Sequence, residues 1–318
     1  MERAGIISAA GQLLNTRKSL VAGDTSVDFT AIEQAISEAT GVDFRVDTAR
    51  DLGGGCINDA FRIEGGDTRY FLKVNARDQL PMFEAEKAGL QLIAAAGAIR
   101  VPRPIAIGLS GEHCWLALEF IPFGASNNRT SMRLGEQLAD LHRQLAPEFG
   151  WERDNTIGTT PQHNTRDPDW VHFYAQHRLG FQLQLAKENG APAALLTRGQ
   201  RLRESLSAFF RNYRPVPSLL HGDLWGGNWG ADEQGQPVLF DPAVYYGDRE
   251  ADLAMTELFG GFDDRFYQSY RDRWDIDPGY ATRKVLYNLY HVLNHFNLFG
   301  GGYAAQAEQM IGQLLAEL

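Results

Sequence analysis

The chain has 318 residues and 44% hydrophobic content, enough to bury large cores without disulfides or metal, which excludes disordered, collagen-like and small cystine-stapled classes. Lys plus Arg number 30 against 40 for Asp plus Glu, and the net charge of −10 opposes general affinity for nucleic acid or anionic membrane. Two cysteines, Cys56 and Cys114, cannot form a secreted-type framework, so a reducing, cytoplasmic compartment is expected. The amino end reads MERAGIISAAGQLLNTRKSL, whose apolar run is interrupted, lacks a cleavage signature and is too short to cross a bilayer, so neither a signal peptide nor a membrane span is expected.

Residues 1–28 read as an N-terminal extension. Residues 29–40 then place Ile32, Ala35 and Ile36 at helical spacing after a possible Asp28 cap. From Phe44 to Ile121 the texture is that of strands: FRVDTARDL, the turn GGGCIN, DAFRI, a GGD turn and RYFLKV read as a glycine-linked antiparallel meander. One helix interrupts it at about residues 82–96, with Leu90 and Ile93 following Glu86 on one face. VPRPIAIG and a last hairpin ending in WLALEFI close this half. Beyond Pro122, Leu134, Leu138, Leu141 and Leu145 recur at helical spacing, and a long helix is expected over residues 170–187. The remainder is helical apart from one hairpin, GNWGADEQGQPVLFD. The five arginines of TRGQRLRESLSAFFRNYR read as a solvated helix face. The expected division is thus an N-lobe at 29–122 and a C-lobe at 123–318.

The segment HGDLWGGNWG at 221–230, followed by VLFDPAVYYGDREADLAM, sets Asp223, Asn228 and Asp241 in order with gaps of five and thirteen residues. Phosphoryl transfer from ATP needs a carboxylate to orient the attacking hydroxyl and take its proton, plus oxygen ligands for Mg²⁺ ions bridging the phosphates. Kinase catalytic loops place a base Asp, an Asn five residues on and, across a hairpin, a metal-binding Asp in this order. Asp223 is therefore the candidate base, and Asn228 and Asp241 the candidate Mg²⁺ ligands.

Upstream, Gly53, Gly54 and Gly55 supply a turn whose backbone N–H groups approach phosphate oxygens, with Cys56 and Asn58 in the same loop. Lys73, in the strand FLKV, is the candidate phosphate anchor. Glu86 is its best ion-pair partner, and Glu84 the rival on another helix face. LALEFIPFG falls at the interlobe hinge, where the backbone of Glu119 and Ile121 suits adenine hydrogen bonds. There is no G-x-x-x-x-G-K-[ST], so the P-loop route to ATP is unsupported. These readings define an α+β, two-lobed, protein-kinase-like fold: a small antiparallel-sheet N-lobe with one helix, a mainly helical C-lobe, and ATP with Mg²⁺ between them.

Gly222, not arginine, precedes Asp223, which removes the handle for phospho-activation. Pro242 biases Asp241 toward extended backbone and leaves no Phe to flip, so a constitutively assembled site is expected. The chain then enters YYGDREADLAM without a long segment ending in A-P-E. Asp252 there is either a buttress of the catalytic loop or a helix N-terminal carboxylate.

These residues resemble the fructosamine kinase, or ketosamine-3-kinase, family within the aminoglycoside phosphotransferase-like branch. The likeness rests on GGGCIN (53–58), FLKVN (71–75), FEAEKAGL (83–90), LADLH (138–142), FGWERDNTIGTTPQHN (149–164), DWVHFYAQHRL (169–179), HGDLWGGN (221–228), DPAVYYGDREADLAMTELFGGF (241–262) and LYHVLNHFNLFGGGY (289–303). It implies ATP-dependent phosphorylation of the sugar 3-hydroxyl of ketosamines, free or protein-bound, the 3-phosphate then decomposing so that the amine is deglycated. It also implies Asp223 as general base, Asn228 and Asp241 as magnesium ligands, Lys73 with Glu86 as phosphate anchor, Gly53 to Asn58 as nucleotide loop, and Trp225 packing on the substrate. One departure is Asp248, where the family often has histidine; its nearness in sequence to the cleft entrance bears on substrate preference.

His291 and His295, four apart on a helix, read as a metal face, as lobe-internal hydrogen bonders or, with Asn294, as sugar-cleft residues. Cys56 is either a reactive thiol in the phosphate turn or a small buried filler. The rivals are another small-molecule kinase, acting on choline, homoserine or an aminoglycoside, a catalytically silent nucleotide-binding protein, and a zinc hydrolase. No nucleic-acid or membrane partner is expected, and the chain is a monomer or a homodimer.

Overall fold

The computed structural model describes residues 27–53 and 57–318. Helix α1 (Phe29–Thr40) starts where Asp28 accepts the Thr30 N–H at 3.0 Å and stops at Gly41, whose φ of 72° suits glycine. Strands β1 (Thr48–Asp51), β2 (Asp59–Gly65) and β3 (Thr68–Ala76) are followed by helix α2 (Leu80–Ala96), then β4 (Pro104–Ser110) and β5 (His113–Glu119). They form one antiparallel sheet in the order β1-β2-β3-β5-β4. The first strand is shorter than FRVDTARDL predicts, because the Val46 N–H is taken at 2.8 Å by the Glu33 carboxylate of α1. Pro81 sits in the first turn of α2, where its missing N–H is not needed, so that helix begins ahead of residue 82.

Side-chain alternation divides the sheet. Leu72, Val74, Trp115 and Ala117 pack with Ile32 and Ile36 of α1 on the outer face. Leu116 and Leu118 pack with Phe83, Leu90 and Ile93 of α2 on the inner face, in a core that continues into the helical half. Lys73 lies between Leu72 and Val74 in sequence, so the alternation turns it to the inner face, toward α2 and the cleft.

Strand β6 (Phe123–Gly124) begins the second half, followed by α3 (Asn128–His142), the hairpin β7 (Asn155–Ile157) and β8 (Thr160–Gln162), α4 (Trp170–Tyr174), α5 (Phe181–Glu188) and α6 (Ala193–Glu204). The helix expected at 170–187 is one helical run that widens over residues 175–180 into a π-type turn. That turn buries Arg178, whose guanidinium lies 4.0 Å from the Tyr245 ring centroid and donates to His163 O at 2.6 Å and Asn164 Oδ1 at 2.7 Å. Strands β9 (Ser218–Leu220), β10 (Trp229–Asp232), β11 (Pro237–Leu239) and β12 (Tyr245–Gly247) carry the loops with Asp223, Asn228 and Asp241, and α7 (Glu250–Leu258), α8 (Asp264–Arg273), α9 (Tyr280–Phe299) and α10 (Tyr303–Ala316) complete the fold. No described helix is long and apolar enough to cross a membrane.

Asp248 does not stand at the cleft entrance. It is 1% exposed inside the helical half, where it accepts from Tyr213 Oη at 2.8 Å, from Tyr287 Oη and from Glu250 N at 3.1 Å. A carboxylate survives there because these donors replace its water. Its influence on substrate preference is therefore removed from direct contact.

Candidate active site

The loop from His221 to Asn228 joins β9 to β10 and is braced from behind. Asp252, in the first turn of α7, accepts the backbone N–H of His221 at 2.7 Å and of Gly222 at 2.9 Å, and meets His142 Nε2 at 3.1 Å. Burial works to raise its pKa, but His142, His221 and these amides hold it below the ordinary carboxylate range. Asp252 meets both roles left open for it: it is a carboxylate in the first turn of α7 and it braces the catalytic loop.

Gly222 has φ 83°, and a Cβ there would lie 2.0 Å from the Ala243 carbonyl oxygen. This position excludes every side chain, so no arginine can stand beside the base. Gly222→Ala is expected to cost about 3 kcal/mol of stability, from the left-handed backbone and the clash together, read as a lowered urea midpoint. An unchanged midpoint would mean that the loop is less constrained than this geometry requires.

Asn228 Nδ2 donates to Asp223 O at 2.8 Å and to Asp223 Oδ2 at 3.2 Å, closing the five-residue gap. The β10–β11 register pairs Trp229 with Leu239, and Phe240 N donates to Asn228 O at 3.1 Å, so the hairpin brings Asp241 beside Asn228. Asp241 is not extended as Pro242 suggested: its φ is 55°, the only left-handed non-glycine among the described residues. The chain must turn sharply out of β11 so that Ala243 N reaches His221 O at 2.8 Å, and aspartate tolerates that conformation better than most residues.

Lys73 Nζ stands 2.6 Å from Glu86 Oε1 and 2.6 Å from Asp241 Oδ1. Burial opposes its charge, but Asp241 and Glu86 outweigh burial and hold the ammonium above its usual pKa. The rival Glu84 is exposed. Asp223, by contrast, is pushed up to about 7, first by burial and then by the Asp241 charge.

The oxygen set suits Mg²⁺. Asn228 spends its amide N–H on Asp223, which leaves its carbonyl oxygen for a cation, and the Asp241 side chain is 44% exposed beside it. One carboxylate and one amide oxygen are hard ligands of the kind that hold this ion together with nucleotide phosphates.

Gly54, Gly55 and Cys56 lie outside the described residues, so the glycine turn and the Cys56 thiol are represented only by their flanks. Gly53 has φ 75° and donates to Asp51 Oδ1 at 2.7 Å, while Asn58 Oδ1 accepts from Asn75 Nδ2 at 2.6 Å. Cys114 is buried, its thiol donating to Ala76 O at 3.0 Å. A cavity of about 240 Å³ runs from Asp241 and Phe240 to Glu119, Ile121 and the lid formed by Leu52 and Phe71. The Glu119 N–H is already donated to Arg103 O at 2.8 Å, so at this hinge only its carbonyl, with the backbone of Ile121, is left to meet a base.

The Trp225 indole lies over Gly227, where a Cβ would come within 2.2 Å of the ring. His295 Nδ1 is 2.7 Å from His291 O, and the His291 ring packs edge-on against Tyr290. Burial and the neighbouring His295 push His291 down to about 3, so it is neutral. Asn294 is committed to the fold: Nδ2 donates to Ile157 O at 3.3 Å and Oδ1 accepts from Gln182 at 3.2 Å. It ties α9 to the β7–β8 hairpin. His291 is likewise enclosed, at 5% exposure, which corrects its reading as a sugar-cleft residue, whereas Trp225 and His295 are half-buried.

Two features went unread in the sequence. Arg62 and Arg69, at the cavity mouth, lie 5.4 and 5.6 Å from the Phe120 ring centroid. The GGD turn carries the signal, since a register pairing Gly65 with Thr68 sets Arg62 against Phe71, on the same face as Lys73. The hairpin carrying DNTIG reaches the cleft through Gly158, whose Cβ position lies 3.5 Å from Ile57 and 3.0 Å from Leu298. No local pattern predicts that contact.

A sheet-bound Lys–Glu pair, a braced base and a hairpin-borne carboxylate across one cleft define a kinase of the two-lobed, protein-kinase-like class. The family profile of the fructosamine kinases matches residues 28–317, and the chain belongs to that family. It is 48% identical over 289 residues to a probable ketoamine kinase of Synechocystis sp., covering 89% of this chain and 96% of that one. It is 43% identical over 270 residues to the chloroplastic protein-ribulosamine 3-kinase of Oryza sativa subsp. japonica, covering 84% and 78%. A crystal structure from Haemophilus somnus 129PT, carried under the fructosamine-3-kinase name, superposes with TM-score 0.82 at 31% identity over 89% of this chain and 96% of that one.

Proposed function

We propose that this protein transfers the γ-phosphoryl group of ATP to the sugar 3-hydroxyl of ketosamines, a step that leads to deglycation of the amine. The observation that carries this reading is the meeting of Asp223, Asn228, Asp241, Lys73 and Glu86 in one cleft. Asp223 accepts the hydroxyl proton and aims the oxygen at phosphorus; Asn228 fixes the Asp223 carboxylate by its amide. Lys73, kept charged by Glu86, binds phosphate oxygens. Asn228 and Asp241 would hold Mg²⁺, which supplies charge neutralisation of the phosphates when bound. Glu119 O and the backbone of Ile121 receive the adenine, and Trp225 and His295 face the sugar.

The test is incubation with Mg-ATP and a set of ketosamine-lysines, reading ADP release, phosphate on the sugar by mass spectrometry, and subsequent free amine. ADP release with choline or aminoglycosides and with none of the ketosamines would reassign the acceptor.

The raised pKa of Asp223 has a kinetic consequence. The base works ionised, so kcat/KM, which reports the free enzyme, is expected to fall about tenfold per pH unit below about pH 7 and to level off above it. In the kcat profile a cation held by Asn228 and Asp241 would favour the ionised carboxylate, and the acid limb would move to lower pH. A kcat/KM profile flat from pH 8 to pH 5 would remove Asp223 as base.

A further inference from the structure

The motif Phe-Gly-Gly occurs twice, as Phe259-Gly260-Gly261 after α7 and as Phe299-Gly300-Gly301 at the end of α9. The fold brings both copies to one imidazole. Phe259 and Phe299 lie 5.2 and 5.7 Å from the His295 ring centroid, and Tyr303 lies 5.2 Å from it. Phe259 in turn meets Trp225 at 6.3 Å, two residues from Asp223. The ring cluster is therefore continuous with Trp225 of the loop that carries Asp223.

Phe259 and Phe299 are not spent on the core, whereas Tyr303 packs partly against it. Phe259 is 48% exposed and Phe299 57%, and Cβ positions built on Gly260, Gly300 and Gly301 meet nothing within 4 Å. Water-facing aromatic faces gathered around a polar ring suit a cation, which the ring quadrupoles attract.

Helices α7 and α9 end at this patch while α10 begins there at Tyr303, so the partial charges of the helix ends offset one another and the attraction rests on the rings and His295. The ring nitrogen of His295 that faces His291 O at 2.7 Å is a donor, which leaves Nε2 as the ring nitrogen able to accept, away from that carbonyl.

We propose that Phe259, His295, Phe299 and Tyr303 form a subsite for the positively charged secondary ammonium that links sugar to carrier in a ketosamine, and that the open glycines Gly260, Gly300 and Gly301 leave room for the carrier chain beyond it. The sugar hydroxyl then reaches Asp223 past Trp225, while the ammonium rests on the aromatic faces and gives a hydrogen bond to His295 Nε2. The inference rests on the ketosamine reading and adds to it a site that selects for the charge of the linking nitrogen.

The test is a pair of acceptors: fructose joined through a secondary amine to the lysine side chain, and the same skeleton with an ether oxygen replacing that nitrogen. Titration calorimetry of the full chain with each compound is expected to give about 3- to 30-fold tighter binding of the amine. In the double variant Phe259→Leu, Phe299→Leu, which keeps bulk at two exposed positions and spares the core, that ratio is expected to fall toward one. Equal binding of both compounds by the unmodified protein, or an undiminished ratio in the variant, would overturn the inference. Because the readout is equilibrium binding, its failure is distinct from failure of the kinase reading, which would appear as amine binding without phosphate transfer to it.

Discussion

Asp223→Asn is expected to lower kcat by about 10²- to 10⁴-fold while nucleotide affinity stays near its original value. The substitution is almost isosteric and leaves the Asn228 contact a carbonyl oxygen to which it can donate. What disappears is the acceptor for the hydroxyl proton. Asp223 does not line the cavity that runs to Glu119 and Ile121, so a fluorescent nucleotide should bind the variant as it binds the parent. The variant also offers a control for the acid limb, which should vanish from its residual activity. A loss smaller than about tenfold would mean that another group takes the proton.

Asp241→Asn is expected to act on the other reactant. Asparagine tolerates the left-handed backbone that Asp241 adopts at φ 55°, so the turn toward His221 survives. The carboxylate charge that meets Lys73 at 2.6 Å and faces the cation position is lost. The expected result is a rise in KM for Mg-ATP of about 100-fold or more, because a direct ligand should matter at least as much as the outer partners of metal sites. Raising free Mg²⁺ should recover part of the activity, whereas it should leave Asp223→Asn unaffected. Equal responses of the two variants to Mg²⁺ would collapse the distinction between base and metal ligand.

Much of this protein is legible along the chain because the signals are local. Asp28 caps α1 through an amide two residues away, alternation marks β2, a continuous apolar run marks β5 as a strand covered on both faces, and Gly41 and Gly97 end helices with left-handed turns. The order Asp223, Asn228, Asp241 was readable because a single hairpin spans the last gap. Glu86 could be preferred over Glu84 because helical periodicity alone separates their faces by two residues.

Other features had no local signature. Pro242 argues for an extended Asp241, and the left-handed turn wins because Ala243 must bond to His221 across the loop. Asp248 and Asn294 looked like cleft residues by position, yet tyrosines from residues 213 and 287 and a carbonyl from residue 157 enclose them.

The amino-acid order settles which segments become helix or strand and which residue types can carry phosphoryl chemistry, since capping, alternation and loop spacing act over a few residues. Packing alone decides that Lys73 meets Asp241, 168 positions away, that Asp252 grips the catalytic loop, and that both Phe-Gly-Gly turns close on His295. Those contacts depend on how α7 and α9 dock and how the sheet sits over the helical half, which is fixed by burial of apolar area summed over the molecule and is written in no single stretch of it.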